Sequence, residues 1–312
     1  MSDYKNILFP VDLTEVSPRL VDHVKEMGRK FSAGVHVLYV APELEYAKVF
    51  YAPGPPAVRA YQSELVEAAE NRLNTLVDEQ MSDYGNLTAR VVRGEVRTEI
   101  LNYIDQNDIS LVMMETKARR GLDRVLFGSV AQGIIQLSPA PVLTFNPLAD
   151  ENVGGGLVES RKILCPVDLS AVFSPDLLAQ AKAVGEKFSA ELHLLYVVRS
   201  TTSYYGGDYI PSPDVDRIKS DLQSEAKANL DEFAANFAGD YPALATAVVG
   251  GHTARQILKY AAENDISMVV MGTHGRRGLD KVVFGSVAQR VVQSCPVPVM
   301  TLNPYREGAA GG

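Results

Sequence analysis

Cysteine is scarce in this sequence, and long apolar runs are missing. The 312 residues include two cysteines, Cys165 and Cys295. Two thiols cannot form a disulfide framework or a four-ligand zinc site, so they do not indicate secretion, and we expect both to be buried and unreactive. Neither an apolar run of about 18 residues nor a signal-peptide pattern is present. We therefore expect a cytoplasmic protein with no membrane partner.

Familiar catalytic motifs are missing as well. The sequence has no GxxxxGK(S/T) loop, GxGxxG, HExxH, CxxC or GxSxG, and we assign no catalytic residue and no metal ligand. His36 and His193 occupy equivalent strand positions without a second ligand at suitable spacing, so we interpret both as packed or edge residues. The formal charge of −8 and the pI of about 5.2 argue against a nucleic acid or an anionic membrane as partner. Small anionic ligands remain compatible with this composition.

The sequence consists of two similar repeats of one unit. KNILFPVDLTEVSPRL, at residues 5–20, returns as RKILCPVDLSAVFSPDL at residues 161–177, and the similarity continues to the closing APVLTFNP and VPVMTLNP. A glycine-bearing stretch separates the copies, as a flexible linker would. We therefore predict a first domain over residues 1–147, a linker over 148–160, a second domain over 161–306 and a flexible tail over 307–312.

Within each copy, short apolar runs alternate with segments of helical period. NILFPV, VHVLYV, ARVVRG, LVMMET and PVLTF are brief and rich in Val, Ile and Leu, which is typical of strands buried on both faces. Ser17-Pro18 and Ser174-Pro175 have the form of an N-cap followed by proline in the first helical turn. The alternation predicts an α/β fold with a doubly wound, five-stranded parallel sheet in each copy. Such sheets bind ligands at the carboxyl ends of their strands, near the topological switch point.

The strongest candidate site follows the fourth strand of the second copy. Met271 to Gly278 is rich in glycine and is followed by Gly285-Ser286-Val287 at the expected start of a helix. A helix starting at Ser286 would point free backbone N–H groups and its positive dipole end at a phosphate. The alternative is that these are ordinary turn glycines, with Ser286 as an N-cap.

The spacing of these residues resembles that of a known family. The spacing is similar to the Gly-x2-Gly-x9-Gly-Ser/Thr pattern that marks ATP-binding members of the universal stress protein family. In this sequence, two residues separate Gly272 from Gly275, and nine residues separate Gly275 from Gly285-Ser286. Pro166-Val167-Asp168 resembles the end of that family's opening strand. The resemblance covers both halves, so the chain is identified as a tandem member with two Rossmann-like domains.

The resemblance implies a role for each matching residue of the second copy. Asp168 would approach the ribose and adenine, although a strand-end carboxylate can instead cap a nearby turn. Arg276 and Arg277 could contact phosphates, but they recur as Arg119 and Arg120, which favours a role shared by both copies. ATP would be the ligand, with a divalent ion such as Mg²⁺ bridging its phosphates. The residues implied for the adenine and ribose are Pro166, Val167, Asp168, Val197, Met271 and Gly272, and those implied for the phosphates are His274, Gly275, Gly285, Ser286 and Val287.

The first copy departs from the pattern. Glu115 stands in the place of Gly272, Lys117 in that of His274 and Ala118 in that of Gly275. A carboxylate repels polyphosphate, and a Cβ obstructs close backbone approach, so either change could weaken binding by a few kcal/mol, roughly a hundredfold. We therefore predict ATP in the second copy only. The residues retained in this degenerate first site, which could still hold an adenosine-like group, are Val11, Asp12, Val40, Gly128 and Ser129.

The predicted function is that of a regulatory stress-response module that binds ATP and hydrolyses it slowly at most. The resemblance also implies pairing of the two copies through their last strands, and a homo-oligomer that is a dimer of such pseudo-dimers. One alternative is an interaction scaffold without nucleotide, whose Tyr/Pro-bearing loops at residues 46–61 and 200–217 contact a protein partner. Another is a true ATPase or self-phosphorylating enzyme with Ser286 as acceptor.

Overall fold

The computed structural model describes residues 4–14, 16–42, 56–116, 128–147, 161–169, 175–199, 213–273 and 284–303. The chain divides into two compact units, residues 3–147 and residues 148–312. The expected linker, the expected tail and Ser174 lie outside the described residues.

The first unit alternates strands and helices throughout its described part. Five strands and four helices follow one another there: β1 (Asn6–Pro10), α1 (Pro18–Phe31), β2 (Gly34–Ala41), α2 (Pro56–Gln80), β3 (Leu87–Arg93), α3 (Val96–Gln106), β4 (Leu111–Glu115), α4 (Ser129–Leu137) and β5 (Val142–Phe145). The described part of the second unit repeats this order: β6 (Lys162–Pro166), α5 (Pro175–Phe188), β7 (Glu191–Val198), α6 (Pro213–Ala238), β8 (Leu244–Gly250), α7 (Thr253–Glu263), β9 (Met268–Gly272), α8 (Ser286–Ser294) and β10 (Val299–Leu302).

Each unit contains one parallel sheet of five strands. The strand order is β3-β2-β1-β4-β5 in the first unit and β8-β7-β6-β9-β10 in the second. The chain therefore moves outward from β1 to β3 and then crosses to the other side of β1, which places the switch point between β1 and β4, and likewise between β6 and β9. The predicted doubly wound α/β fold is confirmed.

The strands form the core because helices cover both sheet faces. The side chains of Ile7, Leu8 and Phe9 in β1 are at most 1% exposed, which explains why the strand lacks alternation of polar and apolar residues. α1 packs on β1, β2 and β4, whereas α3 packs on β2 and against α4. Right-handed crossovers place α1 and α2 on one face and α3 and α4 on the other.

Helix α1 begins where the sequence predicted. The Ser17 hydroxyl accepts a hydrogen bond from the Leu20 amide at 3.4 Å, and Pro18 is the first helical residue. The long helices α2 and α6 begin earlier than expected, at Pro56 and Pro213. Proline fits the first turn of a helix, where its missing N–H has no intrahelical partner to lose. The loops predicted over residues 46–61 and 200–217 are therefore too long, because their last residues, 56–61 and 213–217, are helical.

The N-cap of α3 yields a pH-dependent prediction. The Glu95 carboxylate accepts hydrogen bonds from the hydroxyl and amide of Thr98 at 2.6 and 2.8 Å, and these bonds lower the pKa of Glu95. Glu95→Ala should cost about 1 kcal/mol of stability at neutral pH. Because the carboxyl pKa is lower in the folded state, the difference from wild type should shrink as pH falls through that pKa.

Urea denaturation between pH 7 and pH 3 measures this effect. The control is His252→Ala at the equivalent N-cap of α7, where no side-chain capping bond forms among the described residues. Equal destabilisation by both substitutions, or a Glu95→Ala effect that grows as pH falls, would refute the capping role.

Candidate functional site

The carboxyl edge of the second sheet brings together residues that are distant in sequence. β6 lies between β7 and β9 and ends at Pro166, opposite Leu195 of β7. The Val167 amide extends this pairing by donating to the Leu195 carbonyl at 2.9 Å. Val167 and Asp168 therefore follow β6 at the same edge at which β9 ends with Met271 and Gly272. This edge contains the switch point where ligands bind in open α/β sheets.

Burial explains part of this arrangement without a ligand. Val167 and Val197 are each 7% exposed and Met271 is 5% exposed, as expected of strand residues in a core. Pro166, Asp168 and Gly272 are only partly buried. These three partly buried residues offer more surface to a ligand than the two valines and the methionine do.

The start of α8 is attached directly to the end of β9. The Gly285 amide donates to the Thr273 carbonyl at 2.8 Å, which holds the beginning of the helix beside the strand terminus. Gly285 is the N-cap, with extended backbone angles φ −64° and ψ 139°, and no side chain of the described residues caps this helix end. Ser286 is exposed and is the first helical residue, so the interpretation of Ser286 as an ordinary N-cap is wrong. The first-turn amides thus have no intrahelical acceptor and can donate to an anion.

The first unit has the same backbone frame with different side chains. Gly128 is the N-cap of α4, and its amide donates to the Thr116 carbonyl at 2.9 Å. Ser129 is the first residue of that helix and is exposed. At the end of β4, however, the partly buried Glu115 replaces Gly272. The difference between the two sites therefore lies in side chains and not in strand or helix placement.

The strand-end aspartate of the first unit stabilises a turn. The Asp12 carboxylate accepts hydrogen bonds from the Thr14 amide at 3.0 Å and the Thr14 hydroxyl at 2.8 Å. Val11 donates its amide to the Leu38 carbonyl, and Val40 is 6% exposed. Turn capping is the alternative role predicted for a strand-end carboxylate, and Asp12 has that role in the structure.

Sequence profiles place both halves in one family. The profile of the universal stress protein family matches residues 3–146 and again residues 159–303. The chain belongs to the universal stress protein family. It contains two universal stress protein domains in tandem.

Individual relatives and solved structures agree with this assignment. A universal stress protein of Methanocaldococcus jannaschii is 27% identical over 143 residues, covering 45% of this chain and 81% of that protein. Universal stress protein YxiE of Bacillus subtilis is 30% identical over 146 residues, covering 45% of this chain and 98% of its own length. A crystal structure of a universal stress protein from Archaeoglobus fulgidus covers 96% of this chain and 99% of its own, with a TM-score of 0.70 and 20% identity. The last comparison supports the fold.

Part of the predicted universal stress protein site lies outside the described residues. This applies to the arginine pairs at 119–120 and 276–277 and to most of the tyrosine-bearing loops. It also applies to four residues of the two predicted phosphate loops, namely Lys117 and Ala118 in the first domain and His274 and Gly275 in the second.

Sequence reasoning missed Thr116 and Thr273. Their carbonyls hold the helix starts in place, and their side chains are 3% and 0% exposed. Both residues follow the fourth strand of their universal stress protein domain at matching positions. The threonine recurs although the residues on either side of it differ between the domains, Glu115 and Lys117 against Gly272 and His274, and this recurrence was the available signal.

The two cysteines and two of the histidines belong to the packing of their domains. Burial raises the pKa of Cys165 to about 12 and that of Cys295 to about 11, so both thiols stay protonated at neutral pH. The imidazoles of His36 and His193 pair with the hydroxyls of Tyr103 and Tyr260 at 3.0 and 2.9 Å, which confirms their interpretation as packed residues. Within the described ranges, no group of three or more His, Cys, Asp or Glu residues could hold a metal, and no helix is long and apolar enough to cross a membrane.

Proposed function

We propose that the second domain binds ATP together with Mg²⁺ and that the chain acts as a regulatory nucleotide-binding module in the stress response. The observation that carries this proposal is the start of α8, where Gly285 is an N-cap without a side chain and the neighbouring amides are open to an anion. Its position beside the end of β9 matches the place where open α/β sheets bind phosphate. The Gly272, Gly275, Gly285-Ser286 spacing supports ATP as the anion.

The proposed contacts follow the order of elements along the carboxyl edge. The adenine packs near Val167 and Val197, the ribose approaches Asp168 and Gly272, and the phosphates reach the start of α8. Mg²⁺ bound together with ATP would neutralise part of the phosphate charge, and we assign it no protein ligand. The residues proposed to surround the phosphates are His274, Gly275, Gly285, Ser286 and Val287.

Asymmetry between the domains is part of the proposal. The amide frame at Gly128 and Ser129 persists, but the Glu115 carboxylate at the end of β4 would repel phosphates. Ala118 would add a Cβ where Gly275 has none. The first domain would then bind an adenosine-like group at most, near Val11, Asp12 and Val40.

A regulatory role agrees with the chemistry available. The chain has no P-loop lysine, and we assign no general base, so charge stabilisation of phosphoryl transfer is incomplete and hydrolysis should be slow. ATP would shift a conformational or oligomeric equilibrium to the extent that its affinity differs between the two states. A homo-oligomer or another protein would be the partner that senses this shift.

Equilibrium dialysis of the intact chain against ATP and magnesium tests the proposal. We expect saturation at one ATP per chain, because only one domain has the intact pattern. Turnover measured on the same sample should stay in the slow range of an unassisted nucleotide switch. Absence of saturable binding at millimolar ATP would favour the scaffold, and fast turnover abolished by Asp168→Ala would favour an enzyme. Two ATP per chain would disprove the asymmetry.

A further inference from the structure

The first domain has a polar groove beside the turn that follows β1. Its volume is about 280 Å³, and it lies between that turn and the C-terminal half of α2. One wall is formed by Leu13, Thr14 and Val16. The other wall is one face of the helix, with residues at positions i, i+3, i+4, i+7 and i+8 from Arg72. The groove shares no residue with the phosphate site proposed for the second domain, and in the first domain its residue Thr14 donates to Asp12 of the proposed adenosine-like site.

Opposite charges stand at the two ends of the helical wall. Arg72 donates an Nη2 hydrogen bond to the Leu13 carbonyl at 2.6 Å, which fixes its guanidinium at the turn. The other N–H groups of the guanidinium can still bind an anion. Glu79 lies seven positions further, about 10 Å along the helix axis and on the same face. The groove therefore offers a cation at one end and a carboxylate at the other.

The space between the charges is partly apolar and contains an unsatisfied acceptor. Leu13, Val16 and Leu76 supply aliphatic side chains to the walls. The Oε1 atom of Gln80 is buried and accepts no hydrogen bond from the part of the chain that the structure describes. A buried acceptor without a donor is unfavourable, and this atom has almost no accessible surface, so a ligand in the groove would meet other atoms of Gln80.

The second domain shows that the fold does not require this groove. Phe233 stands at the position of Leu76 and Phe237 at that of Gln80, and their rings lie 4.9 Å apart. The charged residues are replaced as well, Arg72 by Asn229 and Glu79 by Asn236. The second domain thus has aromatic rings and neutral amides where the first has an aliphatic, a polar and two charged side chains.

We propose that the groove binds a small linear zwitterion, with its carboxylate at Arg72, its ammonium group at Glu79 and an aliphatic chain between them. Carboxylate pairs well with a guanidinium fork, and an ammonium group can donate to the Glu79 carboxylate. An α-amino acid is too short to reach both ends. The helical rise separates the backbone positions of Arg72 and Glu79 by about 10 Å, and after allowing for a hydrogen bond at each end, about four or five carbons should separate the charged groups of the ligand. The chemical class is that of ω-amino acids.

Isothermal titration of the full chain with ω-aminohexanoate, without nucleotide, tests the proposal. We expect saturable binding at one site per chain, and much weaker binding of hexanoate, hexylamine and glycine, each of which lacks one of the required features. Arg72→Gln and Glu79→Gln should each weaken the affinity by about tenfold, the effect of losing one charged contact. The double variant Leu76→Phe/Gln80→Phe, which copies the second domain, should abolish binding.

Asn229→Gln and Asn236→Gln are the matched controls, since they change the equivalent positions of the second domain and should leave the affinity unaltered. Circular dichroism and thermal melting of every variant show whether the fold is kept. The proposal is overturned if ω-aminohexanoate gives no saturable heat, if hexylamine or hexanoate binds equally well, or if a folded double variant still binds. None of these outcomes bears on ATP binding in the second domain.

Discussion

Gly272→Glu should lower the affinity of the chain for ATP by roughly a hundredfold, which would empty the site at ATP concentrations that saturate wild type. Gly272 is the last residue of β9, and the next residue, Thr273, accepts the hydrogen bond from the Gly285 amide that holds the start of α8. A glutamate there reproduces Glu115 of the first domain and places a negative charge beside the proposed ribose position, from which it would repel the phosphates at the start of α8. Equilibrium dialysis with radiolabelled ATP gives both the affinity and the stoichiometry.

Two further variants make this result specific. Gly85→Glu adds the same charge at a position where a Cβ meets no atom within 4 Å, and it should leave ATP binding intact. The reverse change, Glu115→Gly with Ala118→Gly, should add a second, weaker ATP site to the first domain. If Gly272→Glu binds one ATP per chain with unchanged affinity, the Glu115 side chain does not explain the asymmetry.

Gly28→Ala should destabilise the first domain by about 1–3 kcal/mol, the range for overpacking a core. Gly28 lies in α1, where alanine would otherwise be better than glycine by about 1 kcal/mol. A Cβ at this position, however, would stand 2.3 Å from the hydroxyl oxygen of Tyr84 and 2.7 Å from its ring. The ring cannot retreat without losing the hydrogen bond from its hydroxyl to the Ala33 carbonyl. The substitution should therefore lower the stability of the domain, although helix propensity alone would raise it.

Urea denaturation followed by circular dichroism measures this change. Gly185→Ala is the equivalent substitution in the second domain, where a Cβ would lie 2.3 Å from the Tyr241 hydroxyl, and it should destabilise by a similar amount. Gly85→Ala meets open space and serves as the neutral control. A stability of Gly28→Ala at or above that of wild type would show that Tyr84 moves aside at little cost.

Much of the architecture was predictable because the sequence repeats. The matching halves gave the two domains, and the apolar runs gave all ten described strands, since strands buried on both faces need continuous apolar sequence. The N-cap at Ser17 was also predictable, because hydroxyl and proline occupy fixed positions at a helix start. Of the candidate site, the strand ends and the start of α8 at Ser286 were anticipated correctly.

Other features depend on contacts that no local pattern contains. The hydrogen bond from the Gly285 amide to the Thr273 carbonyl joins residues on either side of the proposed phosphate loop, and a backbone bond has no residue signature. Helix packing is equally non-local. In the first domain the Arg97 side chain passes over Gly133, where a Cβ would meet its Cδ at 2.4 Å, while the second domain has Ala254 and Arg290 at these positions. The large and the small residue thus exchange places between the two helices, and the sequence shows this only when the structure has paired the two positions.

The strand-to-helix hydrogen bond that both domains share also bears on how the pair could evolve. After duplication, one copy could lose its ligand through a handful of side-chain replacements while its main-chain scaffold stayed the same. Reversion would need equally few mutations, because nothing has to be refolded to restore the function. Related tandem proteins can therefore be expected to differ in which half is active, even where their backbones superimpose.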